Sequence, residues 1–270
     1  MERQSELVIT LRTVRFEERH QIVTGLTENL GKIQAIARNS VSSRRFGGTL
    51  EPGTAALWHF VDKPGSDLAR LEEAEIRREF KQIRASLEKL SSAAFIIEMM
   101  MMIAPDREPV PELFKLLANA LTWLDETPER TALPRLPFFI SSVLGKILQA
   151  SGSHPRIGTC ESCQQTVESF PADARFAATI DRAGILCWNC GAKGRANSIG
   201  RQALLELLFA LGHPLRKGLD QPLAATHEHR LLFQLLEEFL IHHIPGFDSK
   251  AIRSRTLLMQ AFESANPGKS

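Results

Sequence analysis

Four cysteines stand in two Cys-x-x-Cys pairs, Cys160/Cys163 and Cys187/Cys190, and the chain has no others. Each pair can present two thiolates from one tight turn. Two such turns complete a tetrahedron of sulfur, the ligand set Zn²⁺ prefers, with Zn–S near ~2.3 Å. The stretch between the pairs, residues 164–186, is 23 residues long, a little beyond the common spacing of about 15–20. Four thiolates close the coordination shell and leave no position for water. A metal held this way is structural, which argues against zinc hydrolase chemistry. The competing chemistry is redox, with each pair acting as a dithiol.

The second group of candidates is cationic. Net charge is only +2, with a pI of about 8.4, but residues 1–50 carry eight Lys/Arg against five Glu, a local net of +3. Such a bias permits contact with nucleic acid without establishing it. Binding of single strands requires positive charge along a groove and flat faces on which bases stack. The candidates are Arg12, Arg15, Arg19, Lys32, Arg38, Arg44 and Arg45, with Phe16 and Phe46 as rings. Near the cysteines, Arg156, Arg175, Arg182, Lys193 and Arg195 could touch a phosphate backbone, which needs only positive charge and reach, with Lys193 and Arg195 as the candidates; the metal's own role reads as a clip that staples two loops to the helical domain. For any one of these residues a solvated surface charge is the plainer reading, and Phe46 beside Gly47-Gly48 reads as packing. Trp188, between two ligands, is a ring either for a base or for covering thiolates.

Other suggestive residues carry less. Met99-Met-Met-Met102 lies on a strongly apolar helix and reads as core. His227, His229, His242 and His243 lack Cys or carboxylate partners at ligand spacing and read as surface histidines. No P-loop, H-E-x-x-H, G-x-S-x-G or G-x-G-x-x-G pattern occurs, so no catalytic residue is assigned and a small-molecule substrate is not expected.

The elements that must position these groups fall into two styles. Residues 6–12, 21–27, 31–37, 54–61 and 67–71 read as short strands, with Asn29-Leu-Gly31 and Lys63-Pro-Gly-Ser66 as turns. Five strands in about eighty residues fit a small closed barrel of the OB-fold class. From about residue 76 the period becomes helical: Ile83, Leu87, Leu90, Ala94, Ile97 and Met101 form one apolar face. Pro111 opens a second helix, 137–150 is a third, Ser198 is a good N-cap for a fourth, and 227–244 and 249–263 close the chain. The expected fold is α+β: an N-terminal five-stranded OB-fold barrel (1–78), then an α-helical domain (79–155 and 197–270) with an inserted four-cysteine zinc finger (156–196).

The longest apolar stretch, Ala93 to Ala104, holds about twelve residues and contains Glu98, too short to span a membrane. The charged start Met1-Glu-Arg-Gln-Ser-Glu6 shows no h-region with an A-x-A-like cleavage site. The expectation is a cytoplasmic, nucleoid-associated protein in a reducing compartment.

In order, Val8-Ile-Thr-Leu-Arg-Thr13, Glu17/Glu18, Gln21-Ile-Val-Thr24, Gly31-Lys32, Arg44-Arg-Phe-Gly-Gly48, Gly152-x-x-Pro155 before Cys160, Ala183-Gly-Ile-Leu-Cys187 and Ser254-Arg255 resemble the bacterial RecO family in its zinc-bearing form. The similarity spans nearly the whole chain, and it is the order of the motifs that is specific. The resemblance implies an OB-fold, a helical domain and a zinc finger. It also implies a non-enzymatic mediator of the RecF pathway that binds single- and double-stranded DNA and anneals complementary strands. Such a protein helps load RecA onto DNA coated with single-strand-binding protein (SSB), with RecR and the SSB C-terminal tail as partners. One departure stands out. The family's loop after the third strand is dense in Lys/Arg, whereas Asn39-Ser-Val-Ser-Ser43 is neutral, leaving Arg38, Arg44 and Arg45. This implies weaker DNA contact through that face, or reliance on other basic positions. A scaffold whose DNA contact is supplied by RecR is the alternative.

Overall fold

The computed structural model describes residues 3–62, 66, 68–191, 193, 197–223 and 225–264. The chain divides into two compact units, Met1–Glu126 and Thr127–Ser270.

In the first unit β1 (Arg3–Phe16), β2 (His20–Thr27), β3 (Gly31–Ala37), β4 (Ala55–Val61) and β5 (Leu68–Arg78) close into a barrel of order β1-β2-β3-β5-β4. All pairings are antiparallel except β3–β5, which is parallel. Closure removes the open edges of a sheet this small. Alternation puts Ile33, Ala35 and Ala37 of β3 inside. Trp58 and Phe60, fully buried, fill the centre with Val8, Val23 and Leu71, each large side chain contributing roughly 2 kcal/mol of transfer free energy. Gly25 is dictated by that filling, because a Cβ there would meet Val8 and lie 3.1 Å from the Trp58 ring.

Of the three register shifts in the barrel, two bear on what faces outward near the candidate site. In β1 the register jumps from Thr10↔Gly25 to Arg12↔Thr24, leaving Leu11 as the extra residue. In β5 it jumps from Leu71↔Phe60 to Glu73↔His59, leaving Glu72 extra. A bulge re-aims a side chain that alternation would turn the other way. β5 runs on to Arg78, well past the expected end at Leu71.

Two helices complete this unit: α1 (Leu87–Ile103), capped by the Ser86 side chain, and α2 (Pro111–Glu126), begun by its proline. Ile83 belongs to a preceding 3₁₀ turn, Lys81–Ala85, not to α1. Met99 and Met100 are fully buried, and Met101 and Met102 partly so. The β2–β3 turn is stitched to the α1–α2 connection by Lys32 N–H to Pro105 O (3.0 Å) and Arg107 N–H to Lys32 O (3.1 Å). There Gly31, at φ +62°, leaves no room for a side chain against Glu108 O.

The second unit contains α3 (Glu129–Ala132), α4 (Leu136–Ala150), β6 (Arg156–Cys160), β7 (Arg175–Thr179), β8 (Gly184–Cys187), β9 (Ile199–Gly200), α5 (Arg201–Gly212), α6 (Leu215–Leu219), α7 (Thr226–His243) and α8 (Arg255–Ser264). α4 is apolar nearly all round and is buried accordingly, its Ser141 and Ser142 hydroxyls donating to the carbonyls of Pro137 and Phe138. The segment expected as a zinc loop holds a four-stranded sheet, β6-β8-β7-β9, in which only β6–β8 is parallel. Ser198 does not cap α5. The cap is Gly200, and the Ser198 hydroxyl accepts from Arg175 Nε at 2.9 Å.

Candidate metal centre and nucleic-acid interface

The sheet of the second unit delivers the cysteines. β6 ends on Cys160 and β8 on Cys187, and because these strands are adjacent and parallel, both turns that follow project from the same end. The first turn is closed by Gln164 N–H to Cys160 O at 2.9 Å, with Gln164 at φ +59°. The second is a 3₁₀ turn, Trp188–Cys190, closed by Gly191 N–H to Cys187 O at 3.1 Å. All four Sγ atoms lie within 4.8 Å of one another, Cys163 and Cys187 being 4.0 Å apart. A ~2.3 Å Zn–S bond requires tetrahedral edges of ~3.8 Å, so a small inward movement of the turns completes the site.

The protonation chemistry agrees with a cation site. Burial pushes the Cys160 thiol up, but backbone N–H groups of Cys163, Cys187 and Ser162 outweigh it and draw its pKa down to about 6. Burial, the largest cause, pushes Cys187 up to about 12. A bound cation supplies what the second thiol lacks, so uptake of metal displaces protons. No histidine or carboxylate joins the cluster among the described residues. The four cysteines can coordinate one metal ion and leave it no open position.

Of the described cations near this centre, Arg175 is firmly engaged, whereas Arg156, Arg182 and Lys193 remain exposed. Arg156 and Arg182 flank the buried Glu161 carboxylate at 3.3 and 3.9 Å. Arg175 is not available to phosphate: it pairs with Glu228 at 2.8 Å and also holds the Ser198 hydroxyl and carbonyl. Lys193 is exposed, whereas Arg195 lies outside the described residues. The Trp188 ring is 44% exposed.

In the first unit the expected cations fall into two groups. The β1–β2 hairpin carries Arg12, Arg15, Phe16 and Arg19, all exposed. Its tip is tied to the loop after β3 by Val41 N–H to Arg19 O (3.3 Å) and Asn39 N–H to His20 Nδ1 (2.9 Å). Arg38 therefore joins Arg15 and Arg19 at one end of the barrel. Arg45 lies in the same loop, its guanidinium donating to Glu72 O at 3.4 Å. The Arg44 side chain lies outside what is described. Phe46 is buried in the core, as packing predicts, while Phe16 is 41% exposed and presents its ring to solvent.

Lys32 departs from the expectation. It sits at the other end of the barrel, with its side chain only 13% exposed and its ammonium donating to Met101 O at 3.0 Å, 3.5 Å from Asp106. Its charge is spent holding the β2–β3 turn to the end of α1. Sequence reading also missed a cation: Arg70, on the outer face of β5, is set beside Ile36 by the parallel β3–β5 pairing. Only the pairing of strands distant in sequence brings it next to Arg38.

Models of two families match the chain: "Recombination protein O N terminal" over residues 1–80 and "Recombination protein O C terminal" over residues 84–251. The DNA repair protein RecO of Anaeromyxobacter dehalogenans strain 2CP-C is 35% identical over 239 residues, covering 87% of this chain and 89% of the relative. That of Myxococcus xanthus is 33% identical over 247 residues, covering 90% and 93%. The chain belongs to the RecO family. A cyanobacterial RecO, from Synechococcus sp. strain JA-3-3Ab, is 28% identical over 268 residues, 94% of this chain and 84% of its own length. The N-terminal RecO model coincides with the barrel, and the C-terminal one spans the cysteine cluster. RecO proteins are non-enzymatic mediators of recombination and DNA repair, and this chain shares that general function. Among the described residues no helix is long and apolar enough to cross a membrane.

His229 is not on the surface: it is 1% exposed, and its Nε2 lies 2.7 Å from Glu206 Oε2, itself 1% exposed. The carboxylate that sequence spacing failed to supply comes from α5. His227 and His242 are exposed, and His243 contacts Ile180 O at 2.6 Å.

Proposed function

We propose that this RecO-family protein binds DNA backbones through the end of its barrel that carries Arg15, Arg19, Arg38 and Arg45, with Arg12 alongside on β1. We read the barrel as an OB-fold. The observation that carries the reading is the convergence of these arginines, with the exposed Phe16 ring, on one end of a closed barrel. Cations of this kind neutralise phosphate repulsion while two strands sample pairing, and a ring offers a sequence-tolerant stacking face. The expected activity is binding of ssDNA and dsDNA, annealing of complementary strands and help in loading RecA onto SSB-coated ssDNA. RecR and the SSB C-terminal tail are the partners. Annealing of this kind requires no nucleoside triphosphate, in keeping with the absence of a P-loop pattern. The four cysteines hold one structural Zn²⁺, which fixes the turns after β6 and β8.

A second reading is a scaffold whose DNA contact is completed by RecR. It is favoured by the neutral 39–43 loop and by the inward commitment of Lys32. Equilibrium binding of a labelled single strand separates the two. The isolated protein should bind at ~50 mM salt and lose affinity linearly in log–log form toward ~200 mM. Arg38→Ala/Arg45→Ala should weaken binding about tenfold or more with an unchanged melting curve. Binding only in the presence of RecR would favour the scaffold, and salt-independent binding would contradict both.

A further inference from the structure

We propose that the Glu72–Glu73 bulge is a built-in phosphate mimic, and that Arg70 is a phosphate-binding residue which this acidic pair holds in check until nucleic acid displaces it. The inference rests on the DNA-binding reading of the barrel and adds to it a residue and a brake.

Arg38, Arg45 and Arg70 line one cleft of about 490 Å³, together with Phe46, Glu72 and Glu73. Strict alternation along β5 would turn only one of the two glutamates outward. The bulge at Glu72 turns both toward the cleft side, beside the arginines. Glu72 Oε1 is 2.6 Å from Arg70 Nη2, and its other oxygen is 3.7 Å from Arg3 Nε. Glu73 Oε2 is 3.4 Å from Arg3 Nη2, and Arg45 donates to the Glu72 carbonyl. Two carboxylates thus occupy positions in which planar guanidinium groups bind phosphate oxygens equally well.

A separate observation shows that the arrangement is incomplete. Arg70 Nε is shut off from solvent and has no acceptor among the described residues. Glu72 meets one edge of the guanidinium and leaves the Nε donor unpaired, a costly state for a buried donor. If displacement of Glu72 opens that edge, a phosphate has enough oxygens to take Nε together with Nη2. The pairs it must displace are easily broken, since these side chains are 31–55% exposed and ion pairs so hydrated contribute little. The cleft also accounts for a basic face that works with a neutral 39–43 loop. Its third cation comes from β5 instead, and the adjacent carboxylates keep affinity low enough for strands to be released.

The test is ssDNA binding by the full chain near ~100 mM salt, with a labelled oligonucleotide as probe. Glu72→Gln/Glu73→Gln should bind about fivefold tighter, with a salt slope steeper by about 0.7, the increment for one more neutralised phosphate on a single strand. Adding Arg70→Gln should remove that gain. Glu108→Gln/Glu112→Gln, which makes the same charge change near the β2–β3 turn, should shift affinity by less than about twofold, because that turn lies at the far end of the barrel beyond a screening length. Wild-type binding that is unaltered by the 72/73 substitutions, or altered equally by the control pair, overturns the brake and leaves the DNA-binding reading intact. Absence of binding in wild type and every variant overturns both. Binding gained only by the 72/73 variant supports the brake.

Discussion

At the scale of residues, the most decisive chemistry is the difference between two neighbouring thiols. Cys160 is drawn down to about 6 by N–H groups, and Cys187, 3% exposed, is pushed to about 12 by burial. A cation that gathers all four sulfurs must offset the cost of ionising the buried one, and its binding free energy then counts toward folding. Cys187→Ser removes the ligand at the end of β8. It should lower stability on the order of 3 kcal/mol, a drop of roughly 6–12 °C in Tm, and abolish stoichiometric zinc on metal analysis. An unchanged Tm with one zinc retained would contradict the structural role. The cysteines were legible in the sequence because ligand spacing is local. His229 was not, because Glu206 precedes it by 23 residues on another helix, and no linear pattern links them. Arg70 was hidden for the same reason, its setting being fixed by a parallel strand pairing.

At the scale of elements, Glu228 fastens three pieces of the second unit. Its carboxylate accepts from Arg175 on β7 and from Gly200 N–H on β9 (2.8 Å each), while its own backbone is in α7. Burial alone would raise its pKa. The Gly200 N–H, then Arg175 and His227, outweigh that and hold it below the ordinary 4.5. A carboxyl with a lowered native pKa contributes stability that is complete above about pH 4.5 and is lost as pH falls through the native value. Glu228→Gln should therefore cost about 2 kcal/mol near neutrality. The gap between its Tm and that of wild type should narrow in thermal melts taken progressively below pH 4.5. A gap that persists unchanged in acid would show that Glu228 acts otherwise. The barrel strands and longer helices were readable because their hydrophobic periods are sustained. The sheet around the cysteines was not: its strands are five, five, four and two residues long, too short for alternation to register. Ser198 looked like a helix cap because its type is right, but Arg175 had already claimed its hydroxyl.

At the scale of the molecule, a net charge of +2 gives no hint of nucleic-acid binding, and the distribution matters more than the total. The barrel end gathers arginines from a hairpin, a loop and β5, and tempers them with two glutamates from a bulge. Under the proposed function, such a balance lets strands be held and then released. The RecO family could be recognised from motif order along the whole chain, whereas the tempered cleft required the closed barrel. The decisive measurement mixes complementary single strands coated with SSB and follows duplex formation without ATP. The wild-type protein should accelerate annealing, Arg38→Ala/Arg45→Ala should lose most of the acceleration while remaining folded, and Glu72→Gln/Glu73→Gln should keep it. Annealing that is absent with and without RecR, or that is indifferent to the arginine substitutions, would contradict it.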